Sequence, residues 1–118
     1  MKYARHFTAQ EAKRLKQKAK IRMNKKEILK ILRSYKENST YKDNIIALGL
    51  FGSYARNEAS DLSDIDVFVT LRTPKMFDLI GIKQDLEALT KCKVDIVLLR
   101  QLMNQFLREK ISQEGLYV

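Results

Sequence analysis

A small α/β sandwich is the fold class this sequence predicts, and three observations carry it. Apolar runs of strand length alternate with stretches of helical periodicity along the chain. The 118 residues are enough for one hydrophobic core and too few for two ordinary domains. No internal repeat and no low-complexity linker interrupts the alternation.

Taken in order, Thr8-Ala9-Gln10-Glu11 has the form of a capping box and predicts a helix over residues 9–21. Its apolar content is thin (Ala12, Leu15, Ala19, Ile21), so it is marginal alone. Asn24 is a suitable cap for a second helix, whose Ile28, Leu29, Leu32 and Tyr35 share one face. Asn38-Ser39-Thr40 ends it. Residues 45–51 are nearly all apolar and predict a central strand. Gly52-Ser53 breaks that strand, Tyr54-Ala55-Arg56 turns into a short helix, and residues 57–63 form a polar loop. Residues 64–70 predict a second strand. Thr73-Pro74 marks the next helix start, with Met76, Leu79, Ile80, Lys83, Leu86 and Leu89 as its expected inner face and Gly81 as its weak point. Residues 94–99 predict a third strand. Leu102, Phe106, Leu107 and Ile111 mark a last helix, and residues 116–118 an edge strand.

The net charge of +9 is unevenly spread. Residues 1–22 hold eight Lys or Arg against the single acid Glu11, a local +7, whereas residues 23–118 hold 15 basic and 13 acidic residues. The sequence therefore divides into a basic helical extension, 1–22, and a body, 23–118. The extension is read either as a contact for nucleic acid or an acidic partner, or as a solvated face. A third reading makes Met23 the true start. No run of 18 apolar residues occurs, so no membrane helix is expected. The basic N-terminus lacks the apolar stretch of a secretory signal. With the single Cys92, no internal disulfide can form, which fits a cytoplasmic setting. His6, the only histidine, has no partner for a zinc site. Cys92 is read as a filler or surface residue, the tyrosines show no stacking platform, and Tyr54, directly after Ser53, is read either as a neighbour of the nucleotide or as a packing residue.

Chemistry concentrates between Leu50 and Val69. Asp64 and Asp66 are two apart on a predicted strand, so they leave on the same face, about 7 Å apart at Cα. Two such carboxylates repel, and burial worsens the penalty. A divalent cation relieves both, and hard oxygen donors at this spacing suit Mg²⁺ completed by water and phosphate. Asp95 repeats the pattern inside the apolar run Val94-Asp95-Ile96-Val97-Leu98-Leu99. If its strand lies beside that of Asp66, three carboxylates converge, enough for two metal ions. Gly52-Ser53 offers a tight turn, backbone N–H groups and a hydroxyl to phosphate oxygens. Arg56 is placed either to contact phosphate or to brace an acid.

The run Gly52-Ser53-Tyr54-Ala55-Arg56-Asn57-Glu58-Ala59, a polar spacer, then Ser63-Asp64-Ile65-Asp66, with Asp95 on a later strand, resembles the minimal nucleotidyltransferases of the DNA polymerase beta-like superfamily. Asn57 stands where glycine is usual, and asparagine also tolerates left-handed backbone values. The resemblance covers residues 24–118. It implies a palm-like nucleotidyltransferase fold, a small mixed sheet packed against helices. It implies Asp64, Asp66 and Asp95 as metal-binding and catalytic carboxylates, with Gly52 and Ser53 on the triphosphate. The implied reaction is transfer of AMP from ATP to a hydroxyl, with two Mg²⁺ ions, by the antitoxin partner of a helical HEPN-type RNase toxin. Two alternatives keep the fold: a non-catalytic antitoxin that covers its toxin, and a transferase subunit acting on a small hydroxylated molecule. A nucleic-acid-binding protein led by residues 1–22 is the remaining rival.

Overall fold

The computed structural model describes residues 23–60, 62–100 and 103–118. The expected extension over 1–22, with its nucleic-acid contact, lies outside them, as do Asp61 and Leu102. The elements follow the order α1 (Lys25–Asn38), β1 (Ile45–Phe51), α2 (Gly52–Ala55), β2 (Ile65–Leu71), α3 (Met76–Thr90), β3 (Val94–Leu98), α4 (Gln105–Glu114) and β4 (Leu116–Tyr117). One mixed four-stranded sheet has the order β3-β2-β1-β4. β1 runs antiparallel to both β2 and β4, while β2 and β3 are parallel and joined by the crossover helix α3. Among the described residues no helix is long and apolar enough to cross a membrane.

The two sheet faces have different fates because side chains alternate along each strand. Ile65, Val67, Val69 and Leu71 of β2 point with Val94 of β3 and Leu48 of β1 into the main core, against Ile28, Leu32 and Tyr35 of α1 and Ile82 and Leu86 of α3. Each fully buried aliphatic side chain there contributes about 1.5–3 kcal/mol of transfer free energy. The opposite face carries a smaller cluster of Phe51, Phe68 and Ile111, flanked by Val97, Leu99, Met103 and Leu107. α4 therefore covers only part of this second face, and the open remainder holds the acidic residues.

Helix α1 begins after Asn24, the expected cap, and Glu27 completes a capping box that was not read from the sequence. Asn24 Oδ1 accepts from the Glu27 N–H at 2.9 Å, and Glu27 Oε1 accepts from the Asn24 N–H at 2.9 Å. In α3 the expected inner face is displaced. Met76, Ile80 and Leu89 are exposed, and the buried line is Ile82, Leu86 and Thr90, with Leu79 packed against it. A helix apolar on several sides does not declare its inner face by spacing alone. Packing decides it, and Tyr41 lies against Gly81 so closely that a Cβ there would collide with its hydroxyl. The helix starts at Met76, two residues after Pro74. In α4, Phe106 is exposed where an inward position was expected, while Ile111 is buried. Asn104, unremarked in the sequence, caps that helix by accepting from the Leu107 N–H at 3.0 Å. Cys92 and Tyr54 are buried in the main core, as packing residues should be.

The two core helices are tied by a bond from the Tyr35 hydroxyl to Asp85 Oδ2 at 2.7 Å. Burial first, then this hydrogen bond to Asp85, raises the Tyr35 pKa far above its ordinary value. Tyr35→Phe is expected to lower stability by about 1.5 kcal/mol, the value of a hydrogen bond to a charged acceptor. Urea unfolding followed by circular dichroism measures it, and an unchanged midpoint would show that the bond does not tie α1 to α3.

Candidate active site

Register brings the acids together. In the parallel pairing of β2 with β3, Ile65 stands beside Val94 and Asp66 beside Asp95. Neighbouring strands are about 4.8 Å apart, so the two aspartates project from adjacent positions on the same face. Asp64 lies just before β2, which starts at Ile65, one residue later than its pattern predicts. Exposure is graded: Asp95 is exposed, and Asp64 and Asp66 are half-buried. Asp66 bears the electrostatic load. Burial first, then the charges of Asp95 and Asp64, push its pKa above the ordinary carboxylate value, with Lys110 and Arg56 opposing.

The Gly52-Ser53 turn is built against the same carboxylate. β1 ends at Phe51, opposite Asp66 in the antiparallel register, and the chain enters the single turn α2 through Gly52 at φ 77°. A Cβ on Gly52 would lie 2.1 Å from Asp66 Oδ2. Glycine is required here twice over, for the left-handed backbone and for the approach of the acid. Asn57, at φ 59°, takes the left-handed backbone that asparagine tolerates.

Arg56 closes α2 as its C-cap residue. Its Nε donates to Glu58 Oε1 at 2.8 Å, and its Nη1 donates to Glu114 Oε1 at 2.9 Å and Oε2 at 3.1 Å. These bonds, Glu58 first, raise the arginine pKa further. Of the two roles left open by the sequence, this structure displays the bracing one. The Gly52 N–H also donates to Glu114 Oε1, at 3.1 Å.

Sequence reasoning missed Glu114 and Lys110, both on α4. Nothing local marks either one, because their relation to Gly52 and Asp66 exists only once α4 crosses the second face of the sheet. Among the described residues no three His, Cys, Asp or Glu side chains form a ready-made metal cage. The donor set nonetheless fits a hard cation in kind: Asp66 is an oxygen donor burdened by two further carboxylates.

A strand, a Gly-Ser turn into a helix, an acid pair at the start of the next strand and a third acid on the parallel neighbour define a nucleotidyltransferase-type site on a mixed sheet. The family model for polymerase beta, nucleotidyltransferase, matches residues 26–118, and the chain belongs to that family. It is 32% identical over 93 residues to the protein adenylyltransferase MntA of Thermococcus cleftensis, covering 78% of this chain and 93% of that protein. Among solved structures, one assigned as a minimal nucleotidyltransferase aligns with a TM-score of 0.66 and 27% identity, over 80% of this chain and 96% of the other. A toxin–antitoxin structure with AMP-PNP aligns with a TM-score of 0.60 and 25% identity, over 80% and 72% of the two chains.

Asp66 gives a pH-dependent prediction. Its folded pKa is raised above its unfolded value, so the stability it contributes is present in acid and lost as pH rises through the folded pKa. In metal-free buffer at pH 7, Asp66→Asn should therefore melt a few degrees above the native chain. The gain should shrink as pH falls toward the ordinary carboxylate range, where both forms are neutral at this position. Calorimetric scans across pH measure it, and a gain that grows in acid would contradict the assignment.

Proposed function

We propose that this chain is a protein adenylyltransferase, the antitoxin of a HEPN-type toxin–antitoxin pair, transferring AMP from ATP to a hydroxyl of its toxin. The observation that carries the reading is the register pairing of Asp66 with Asp95 beside the Gly52-Ser53 turn. Its company supports it: the related MntA is a protein adenylyltransferase, and a structural relative is a toxin–antitoxin complex with an ATP analogue.

In this reading Asp64, Asp66 and Asp95 would hold Mg²⁺, two ions when nucleotide is present. Bound Mg²⁺ supplies neutralisation of the phosphate charge and lowers the pKa of the attacking hydroxyl. The protein alone provides an incomplete shell, so phosphate oxygens and water complete it. Ser53 and the backbone of the turn hold the triphosphate so that the α-phosphorus faces the acceptor. The acceptor oxygen forms its bond to that phosphorus as the bond to the bridging oxygen of the β-phosphate breaks, and pyrophosphate leaves. Asp95, the most exposed of the three acids, would take the hydroxyl proton. Arg56 contributes by fixing the end of the turn through Glu114 rather than by touching phosphate.

Incubation of the chain with ATP, Mg²⁺ and its HEPN-type partner should raise the toxin's intact mass by about 329 Da per AMP, a covalent side-chain modification. Asp95→Asn should lower turnover by about 100-fold while changing ATP affinity by less than about threefold, because its contribution peaks in the transition state. An unmodified toxin in the presence of bound ATP would instead favour an antitoxin that acts by covering its partner.

A further inference from the structure

The carboxylate of Glu114 sits where two donors of the candidate site converge. A single atom, Oε1, accepts from the Gly52 N–H at 3.1 Å and from Arg56 Nη1 at 2.9 Å, while Oε2 takes a second bond from Arg56 at 3.1 Å. The Glu114 side chain is 20% exposed and that of Arg56 37%, so the ion pair is screened much as a surface pair is, while the bond from the Gly52 N–H is partly buried.

The backbone explains why this acid meets this glycine. β4 pairs with β1 in the register Gly49 with Tyr117 and Leu50 with Leu116. Carrying that antiparallel register two residues further sets Glu114 opposite Gly52. The C-cap Gly115 donates its N–H to Ile111 O at 2.7 Å, closing α4 at this point. Ile111 packs in the second-face cluster with Phe51, the residue that precedes Gly52. The helix end, the edge strand and the apolar cluster therefore all aim one carboxylate at the turn.

We propose that Glu114 is a positioning residue for the nucleotide. It clamps both ends of the Gly52–Arg56 turn, holding the Gly52 N–H at one end and the Arg56 guanidinium at the other. Gly52 lies so close to Asp66 that a side chain would not fit between them, so the clamp also fixes the distance between the turn and the acids. The triphosphate then meets a turn already in place, and its binding does not have to order those residues. The inference rests on the nucleotidyltransferase reading of the turn, and it makes the C-terminal half of α4 part of the site.

Affinity for ATP in the presence of Mg²⁺, measured by isothermal titration on the full chain, tests it together with melting temperature. Glu114→Ala should weaken ATP binding by about tenfold, the scale of one well-formed hydrogen bond to a charged group. Glu114→Gln keeps a carbonyl oxygen at the Oε1 position, where both Gly52 and Arg56 donate, and should stay within about threefold of the native chain. The exchanged pair Arg56→Glu with Glu114→Arg restores an ion pair but leaves the Gly52 N–H without an acceptor at position 114. It should recover stability while remaining about tenfold weak for ATP. Affinity that simply follows melting temperature across the three variants would reduce Glu114 to a structural ion pair. Native or tighter ATP binding in Glu114→Ala would equally overturn the proposal, the latter by making Glu114 a competitor of the phosphates. If the alanine variant does not fold, the glutamine variant and the exchanged pair carry the test. Because the readout is ATP affinity, a native chain that binds ATP and modifies no toxin would count against AMP transfer alone.

Discussion

Gly52 approaches the Asp66 carboxylate more closely than any side chain would permit, and the rest of the site is arranged around that contact. The approach requires β1 to end opposite Asp66, which the antiparallel register provides at Phe51. It requires a residue without a Cβ in a left-handed conformation. It leaves a half-buried carboxylate beside two others, with burial and like charge both acting against ionisation. A site in this condition is short of positive charge. Lys110 and Arg56 offset part of the deficit, and in the proposed mechanism the metal makes up the remainder.

The sheet separates this tension from the interior that sustains the fold. β2 is the hinge of the arrangement, since its odd-numbered residues Ile65, Val67 and Val69 enter the main core while Asp66 and Phe68 face the other way. A slip of one residue would send the acids into the core and the aliphatic residues to the open face, at a penalty far above what a small domain can absorb. The hydrophobic pattern that folds the protein therefore also fixes which face carries the acids. The parallel crossover through α3 then brings Asp95 beside Asp66.

The sequence made some of this legible and left other parts silent, for physical reasons. Strand positions were readable because β1 and β2 are short apolar runs bounded by polar turns, and α1 because Asn24 is a good cap ahead of apolar residues at helical spacing. The acids were readable because Asp66 and Asp95 interrupt apolar strands, where a charge is expensive. The inner face of α3 was not, because Met76, Phe77 and Ile80 are apolar yet exposed, so spacing alone does not single out the buried line of Ile82, Leu86 and Thr90. Glu114 was invisible for a different reason. It is 62 positions from Gly52, and their meeting depends on the pairing of β4 with β1, which two short stretches of sequence do not encode locally.

Asp66 is a carboxylate whose ionisation is opposed by burial, Asp95 and Asp64 until positive charge arrives. Carbon-13 NMR titration of the Asp66 side chain, with and without Mg²⁺ and a non-hydrolysable ATP analogue, measures this most directly. The account predicts a pKa above the ordinary aspartate value in the free protein and one below it with metal and nucleotide bound. An ordinary pKa in the free protein, unmoved by Mg²⁺ and nucleotide, would contradict it.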